Sequence, residues 1–77
     1  MPAYNLFRRK EHAEVYCAVP EDCVVPPFVT GELWEFGGKL VGGKLEGQRD
    51  APVGFNQQAA MTSVRFNGFY LFQAFTM

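Results

Sequence analysis

The stretch NQQAAMTSVRFNGFYLFQAF (residues 56–75) decides the fold class. Its first half carries the marks of a helix. Asn56 is a good N-cap, because its side-chain oxygen can accept from an otherwise orphaned amide of the first turn. Phe55 before it can staple onto that turn. Ala59, Ala60, Met61 and Val64 are good or tolerable in a helix, and Ala60, Met61 and Val64 form an apolar stripe. Asn67-Gly68 then stops the helix, since both residues tolerate a left-handed backbone. From Phe69 to Phe75 the chain reads as a strand with apolar residues on both faces. Phe69, Leu71 and Phe75 share one face with Gln73, and Tyr70, Phe72 and Ala74 share the other. A half-exposed strand alternates with polar residues, whereas one that is apolar on both sides is buried on both.

One helix of about three turns can cover one face of a sheet and not two. Cover for the second face has to come from a proline-rich segment folding back, from curling of the sheet, or from another copy of the chain. A Phe side chain left in water forgoes roughly 1.5–3 kcal/mol of burial, and small domains gain stability from association. A homodimer is therefore expected, with an interface drawn from Tyr16, Trp34, Phe36, Tyr70 and Phe72.

Working outward, residues 42–54 hold four glycines, a proline and four charges and read as a loop. Residues 28–36 fit helical spacing or the start of a strand. A strand over 32–41 is favoured, because aromatics suit a pleated surface and the glycine density harms a helix. Trp34, Phe36, Gly38 and Leu40 then share a face, and Gly37 or Gly38 marks a bulge. Residues 20–31, with Pro20, Pro26 and Pro27, read as a loop that packs Val25 or Phe28 onto the core. Residues 4–9 and 13–19 alternate and are joined by a short polar link, which predicts a β-hairpin. The expected fold is α+β: an antiparallel sheet of three to four strands with one helix, from the C-terminal half, on one face. Its expected core contains Leu6, Val15, Cys17, Phe36, Met61, Val64, Leu71 and Phe75.

The composition suits one small folded domain spanning residues 1–77. Hydrophobic residues make up 48% and the formal net charge is only -1, so a disordered chain is excluded. Seven basic against eight acidic residues also argue against nucleic acid, whose binding draws on Lys and Arg neutralising phosphates. The one basic run, Arg8-Arg9-Lys10, is followed by Glu11 and reads as a solvated strand end. The opening residues do not give the pattern of a secretory signal, and no run approaches the roughly 20 apolar residues of a membrane span. A cytoplasmic protein without membrane attachment is expected. There Cys17 and Cys23 stay reduced, Cys17 as a small core residue and Cys23 in a loop. Two cysteines six positions apart with a single His12 do not make a zinc site, and no metal or cofactor is expected.

Catalytic constellations are missing. His12 and Cys17 are the only imidazole–thiol option, and strand parity puts Cys17 on the apolar face, away from the accessible, electropositive setting a reactive thiol needs. Ser63 has no nucleophile elbow around it, and Gly42-Gly43-Lys44 lacks the rest of a phosphate-binding loop. Glu35, between Trp34 and Phe36, is the carboxylate best placed to meet an apolar environment, which would raise its pKa. Its ordinary role is a strand residue that faces solvent or is paired with Lys39 or Arg65. Trp34, Glu35 and Tyr70 are the candidate ligand-binding residues, lining an aromatic pocket.

The runs Cys17-Ala18-Val19-Pro20-Glu21-Asp22, Trp34 to Leu40 (WEFGGKL) and Arg65 to Gln73 (RFNGFYLFQ) give the chain its character. In this general makeup it resembles the small orphan proteins carried on bacterial integron gene cassettes. The resemblance implies a bacterial, cytoplasmic accessory protein; it carries no motif, and no site residue follows from it. A non-enzymatic, self-associating interaction module is the leading expectation. A small-ligand-binding protein using a Trp34/Tyr70 pocket is the alternative, and a hydrolase or transferase with a carboxylate base comes third.

Overall fold

The computed structural model describes residues 3–42, 44–46 and 49–74, without the side chain of Arg49. Among the described residues six strands form one sheet: β1 (Ala3–Arg9), β2 (Val15–Pro20), β3 (Trp34–Val41), β4 (Lys44–Leu45), β5 (Arg49–Asp50) and β6 (Tyr70–Gln73). Every pairing is antiparallel, in the order β5-β4-β3-β1-β2-β6. The expected α+β class holds. The strand count is higher because residues 42–54, read as loop, contribute the two-residue strands β4 and β5.

β1 and β2 form the expected hairpin, with Phe7 opposite Cys17 and Tyr4 opposite Pro20. Pro20 ends β2 from within rather than breaking it. The amide of Glu21 donates to the carbonyl of Ala3 at 2.9 Å, so Tyr4 and Pro20 are a pair that exchanges no backbone bonds, and the missing N–H of proline is not needed there.

β3 carries the feature that sets the two faces. Leu6 lies opposite Gly38 but Phe7 lies opposite Phe36, so Gly37 is an extra residue in β3. Gly38 sits at φ +124, and a Cβ there would come within 3.3 Å of Leu45, so glycine suits this bulge twice over. Because strand side chains alternate strictly, the extra residue moves everything before it to the other face. Leu40 points to one side of the sheet and Phe36 to the opposite side.

The first face is covered by α1 (Gln57–Asn67) and the segment leading into it. The Asn56 side chain accepts from the Ala59 amide at 2.9 Å, and Gly68, at φ 84, closes the helix with its amide donating to the Val64 carbonyl. Both caps fall where the sequence predicts them. Tyr4, Leu6, Ala18, Leu40, Ala60 and Phe72 form this core, with Phe55, Val64 and Tyr70 packed against it. The second face is covered by a strap, residues 24–32, whose centre is a 3-10 turn, Pro27–Thr30. Cys17, Val19 and Val29 are buried beneath and within it, flanked by Phe7, Val25, Trp34 and Phe69. Val29 is the strap's buried anchor, whereas Phe28 is 44% exposed.

Leu6 and Cys17 are fully buried as expected, and Val15 and Val64 are half-buried. Three expected core residues are not core. Phe36 is 61% exposed because the bulge turns it away from Leu40. Met61 is exposed because α1 docks through Ala60 and Val64 and leaves Met61 at the stripe's outer edge. Leu71 is exposed because it lies on the edge strand, past the Cys17 and Val19 positions that the strap covers. Phe75 lies outside the described residues.

Candidate functional site

The aromatic residues expected to act together are divided between the two faces. Tyr16, Phe72 and Tyr70 lie on the helix side as a stack. Tyr16 and Phe72 have ring centroids 5.3 Å apart at 12°, and Phe72 and Tyr70 5.3 Å apart at 16°. Phe55 meets Phe72 and Tyr70 edge-on and also touches Tyr4. Phe72 is buried in this core, which removes it from any surface. Trp34 and Phe36 lie on the strap side. A pocket shared by Trp34 and Tyr70 is therefore not formed, because the sheet stands between them.

Glu35 does not sit among the aromatics on either side of it in sequence. The bulge aims it at Arg8, its cross-strand neighbour, whose Nε and Nη2 both donate to Oε2, at 3.0 and 2.5 Å. These bonds raise the already high pKa of the Arg8 guanidinium, with Tyr16 contributing in the same direction. The pair is well exposed, so its contribution to stability is about 0.2–1 kcal/mol. The expected partners of Glu35 are engaged elsewhere or remote: Lys39 pairs with Glu21 at 2.9 Å, and Arg65 lies on α1. Glu35 is thus an ion-pair partner rather than an isolated acid.

Nucleophilic chemistry finds no support in the cysteines. Burial pushes the Cys17 thiol up to about 12, so at neutral pH it is protonated as well as enclosed. Cys23 is exposed, with its Sγ 3.8 Å from the neighbouring Asp22 Oδ1. His12 is exposed, and its Nδ1 lies 3.7 Å from Glu14. Ser63 is used structurally, donating to the Phe69 carbonyl at 2.7 Å. Among the described residues no group of three or more His, Cys, Asp or Glu is placed to hold a metal ion. A concavity of about 710 Å³ lies beside α1, lined by Gln57, Gln58, Met61, Thr62 and Arg65. These residues all belong to one helix, so they form a wall and not a set of converging groups.

The surface that stands out is on the strap side. Phe36 rests edge-on against Phe7, centroids 5.9 Å apart. Trp34, two residues earlier, is met edge-on by Phe28 at 5.9 Å, and Phe28 in turn meets Phe69 at 5.2 Å. The Arg9 guanidinium lies over the Trp34 ring, 6.0 Å from its centroid. Phe28 and Phe36 are the exposed parts of this aromatic surface. Sequence reading found Trp34 and Phe36 but missed Phe28 as a surface residue, since a Phe in a proline-rich segment reads as a core plug. Comparison with protein-family models, with curated proteins and with solved structures returned no match. No helix is long and apolar enough to cross a membrane among the described residues.

Proposed function

We propose that this chain is a non-enzymatic interaction module that self-associates, two copies meeting through the strap-side face around Phe36. One observation carries the reading: Phe36, paired to β1 in the part of β3 that β4 does not reach, is 61% exposed, with Phe28 and Trp34 on the same face. Exposed aromatics held rigid by packing are the groups that anchor interfaces, and burying such a side chain contributes roughly 1.5–3 kcal/mol.

A second copy is the occupant for three reasons. A net charge of -1 leaves little repulsion between copies. The rim of the face carries both signs, Lys39 with Glu21 toward one side and Arg9 with Glu32 toward the other, and a two-fold arrangement sets such a rim against itself. The β6 edge of the sheet is guarded, which favours the face over that edge. Ser63 occupies the Phe69 carbonyl, and Gly54 packs so closely on the Gln73 carbonyl that no Cβ fits there. The role as a cytoplasmic accessory protein of bacterial cassette type belongs to the same proposal. Two free thiols suit a reducing compartment.

Sedimentation velocity across the micromolar range tests the reading. The native chain is expected to sediment at twice 8.7 kDa, and Phe36→Ser as a monomer with its unfolding free energy changed by no more than about 0.5 kcal/mol. A native chain that stays monomeric throughout, or a Phe36→Ser variant that pairs as the native chain does, overturns it.

A further inference from the structure

The strap is held mainly by its side chains. Its backbone and side-chain hydrogen bonds close on themselves: Val29 N–H to the Pro26 carbonyl at 3.2 Å, and Thr30 Oγ1 to the Pro27 carbonyl at 2.8 Å. The Gly31 carbonyl accepts from the amide of Trp34, the first residue of β3, at 3.3 Å. Among the described residues no hydrogen bond joins residues 24–32 to β1, β2 or β6. Attachment to β1, β2 and β6 is side-chain packing alone, centred on Val29, with Val25 half-buried and Phe28 lodged between Trp34 and Phe69. Segments with few buried contacts and no ladder bonds open locally at lower cost than the whole fold.

We propose that residues 24–32 open as a unit ahead of global unfolding, uncovering an apolar trough floored by Phe7, Cys17 and Val19 and walled by Trp34 and Phe69. The closed strap keeps Cys17 at zero exposure, and burial holds its thiol protonated, so the closed state does not react. Phe28 rides on the strap, so opening also withdraws one aromatic from the surface around Phe36. This second consequence rests on the self-association reading; the opening itself does not.

Cys17 is the built-in reporter. With Cys23→Ser leaving it as the sole thiol, labelling by dithiodipyridine is followed in dilute protein, in buffer and in urea well below the unfolding transition. The expected labelling is nearly flat in low urea, and at least about tenfold faster than the global unfolding equilibrium permits. Val29→Ala is expected to speed this flat branch by about tenfold, whereas Val64→Ala, on the helix side, speeds only the high-urea branch and leaves its slope unchanged. Labelling that follows global unfolding with its full urea slope from zero denaturant overturns the proposal, as does equal acceleration by the two variants. The urea slope of the Cys23→Ser chain decides the matter even if a core variant fails to fold. A rigid strap on a pairing chain and an opening strap on a monomer give different combinations of labelling and sedimentation, so the two readings fail separately.

Discussion

The helix-covered and strap-covered faces are built from alternate residues of the same strands, yet they are secured in different ways. On the helix side Leu6, Ala18 and Phe72 meet an element with both ends capped and with Ser63 hydrogen-bonded to Phe69, the residue just before β6. On the strap side Phe7, Cys17 and Val19 meet a short 3-10 turn with no side-chain cap and, among the described residues, no hydrogen bond to β1 or β2. Equal burial does not mean equal attachment. Cys17 and Leu6 are both at zero exposure, but Leu6 is enclosed by regular structure and Cys17 by a segment joined to β1 and β2 through side-chain packing only.

The sharpest way to break this contrast is to empty each core in turn. Leu6→Ala is expected to cost about 2–5 kcal/mol in urea unfolding. Val29→Ala is expected to cost less, roughly 1–2 kcal/mol, because the strap relaxes around the smaller residue. Equal losses would erase the distinction. Alkaline titration sharpens it further. The folded Cys17 thiol holds its proton to about pH 12, while the unfolded thiol loses it near pH 9. Stability from this group is therefore intact below about pH 9 and falls as pH rises from about 9 to 12, by on the order of a few kcal/mol. Tyr4, whose pKa burial also raises, adds a fall of the same sign from the helix side. Thermal unfolding of Cys17→Ala against pH is expected to show a shallower alkaline decline, with the Tyr4 contribution left.

The helix side was the more legible in the sequence because its signals are local. Asn56 and Gly68 sit at the two ends of an eleven-residue helix, and each acts through its own neighbours. The bulge was also visible as Gly37-Gly38, but its consequence was not. A bulge inverts the facing of every residue on one side of it, so naming Gly37 or Gly38 without applying the inversion leaves Phe36 on the same face as Leu40. The same error hides the pairing of Glu35 with Arg8, which exists only once the phase has changed. The strap was legible only as a proline-rich segment with apolar residues to bury. Val29 displaced Val25 and Phe28 as the anchor because a 3-10 turn, not an extended path, sets which side chain points inward. The split of Tyr16, Tyr70 and Phe72 from Trp34 and Phe36 follows from strand pairing, which composition does not reveal.

Smaller effects complete the comparison. Asn56→Ala is expected to lower stability by about 1 kcal/mol through loss of the cap, measured by chemical denaturation. Arg8→Ala is expected to cost no more than about 1 kcal/mol, since the ion pair with Glu35 is exposed and screened by salt. A larger Arg8 loss at high salt would point to a packing role for its stem.

The direction of Phe36 bears on everything proposed for the strap side, and a NOESY spectrum of isotope-labelled protein reads it directly. Cross-peaks from the Phe36 ring to Phe7, with none to the Leu40 or Leu6 methyls, are expected from an outward ring placed by the bulge at Gly37. Strong cross-peaks from Phe36 to Leu40 and Leu6 would contradict it, placing the ring back in the helix-side core.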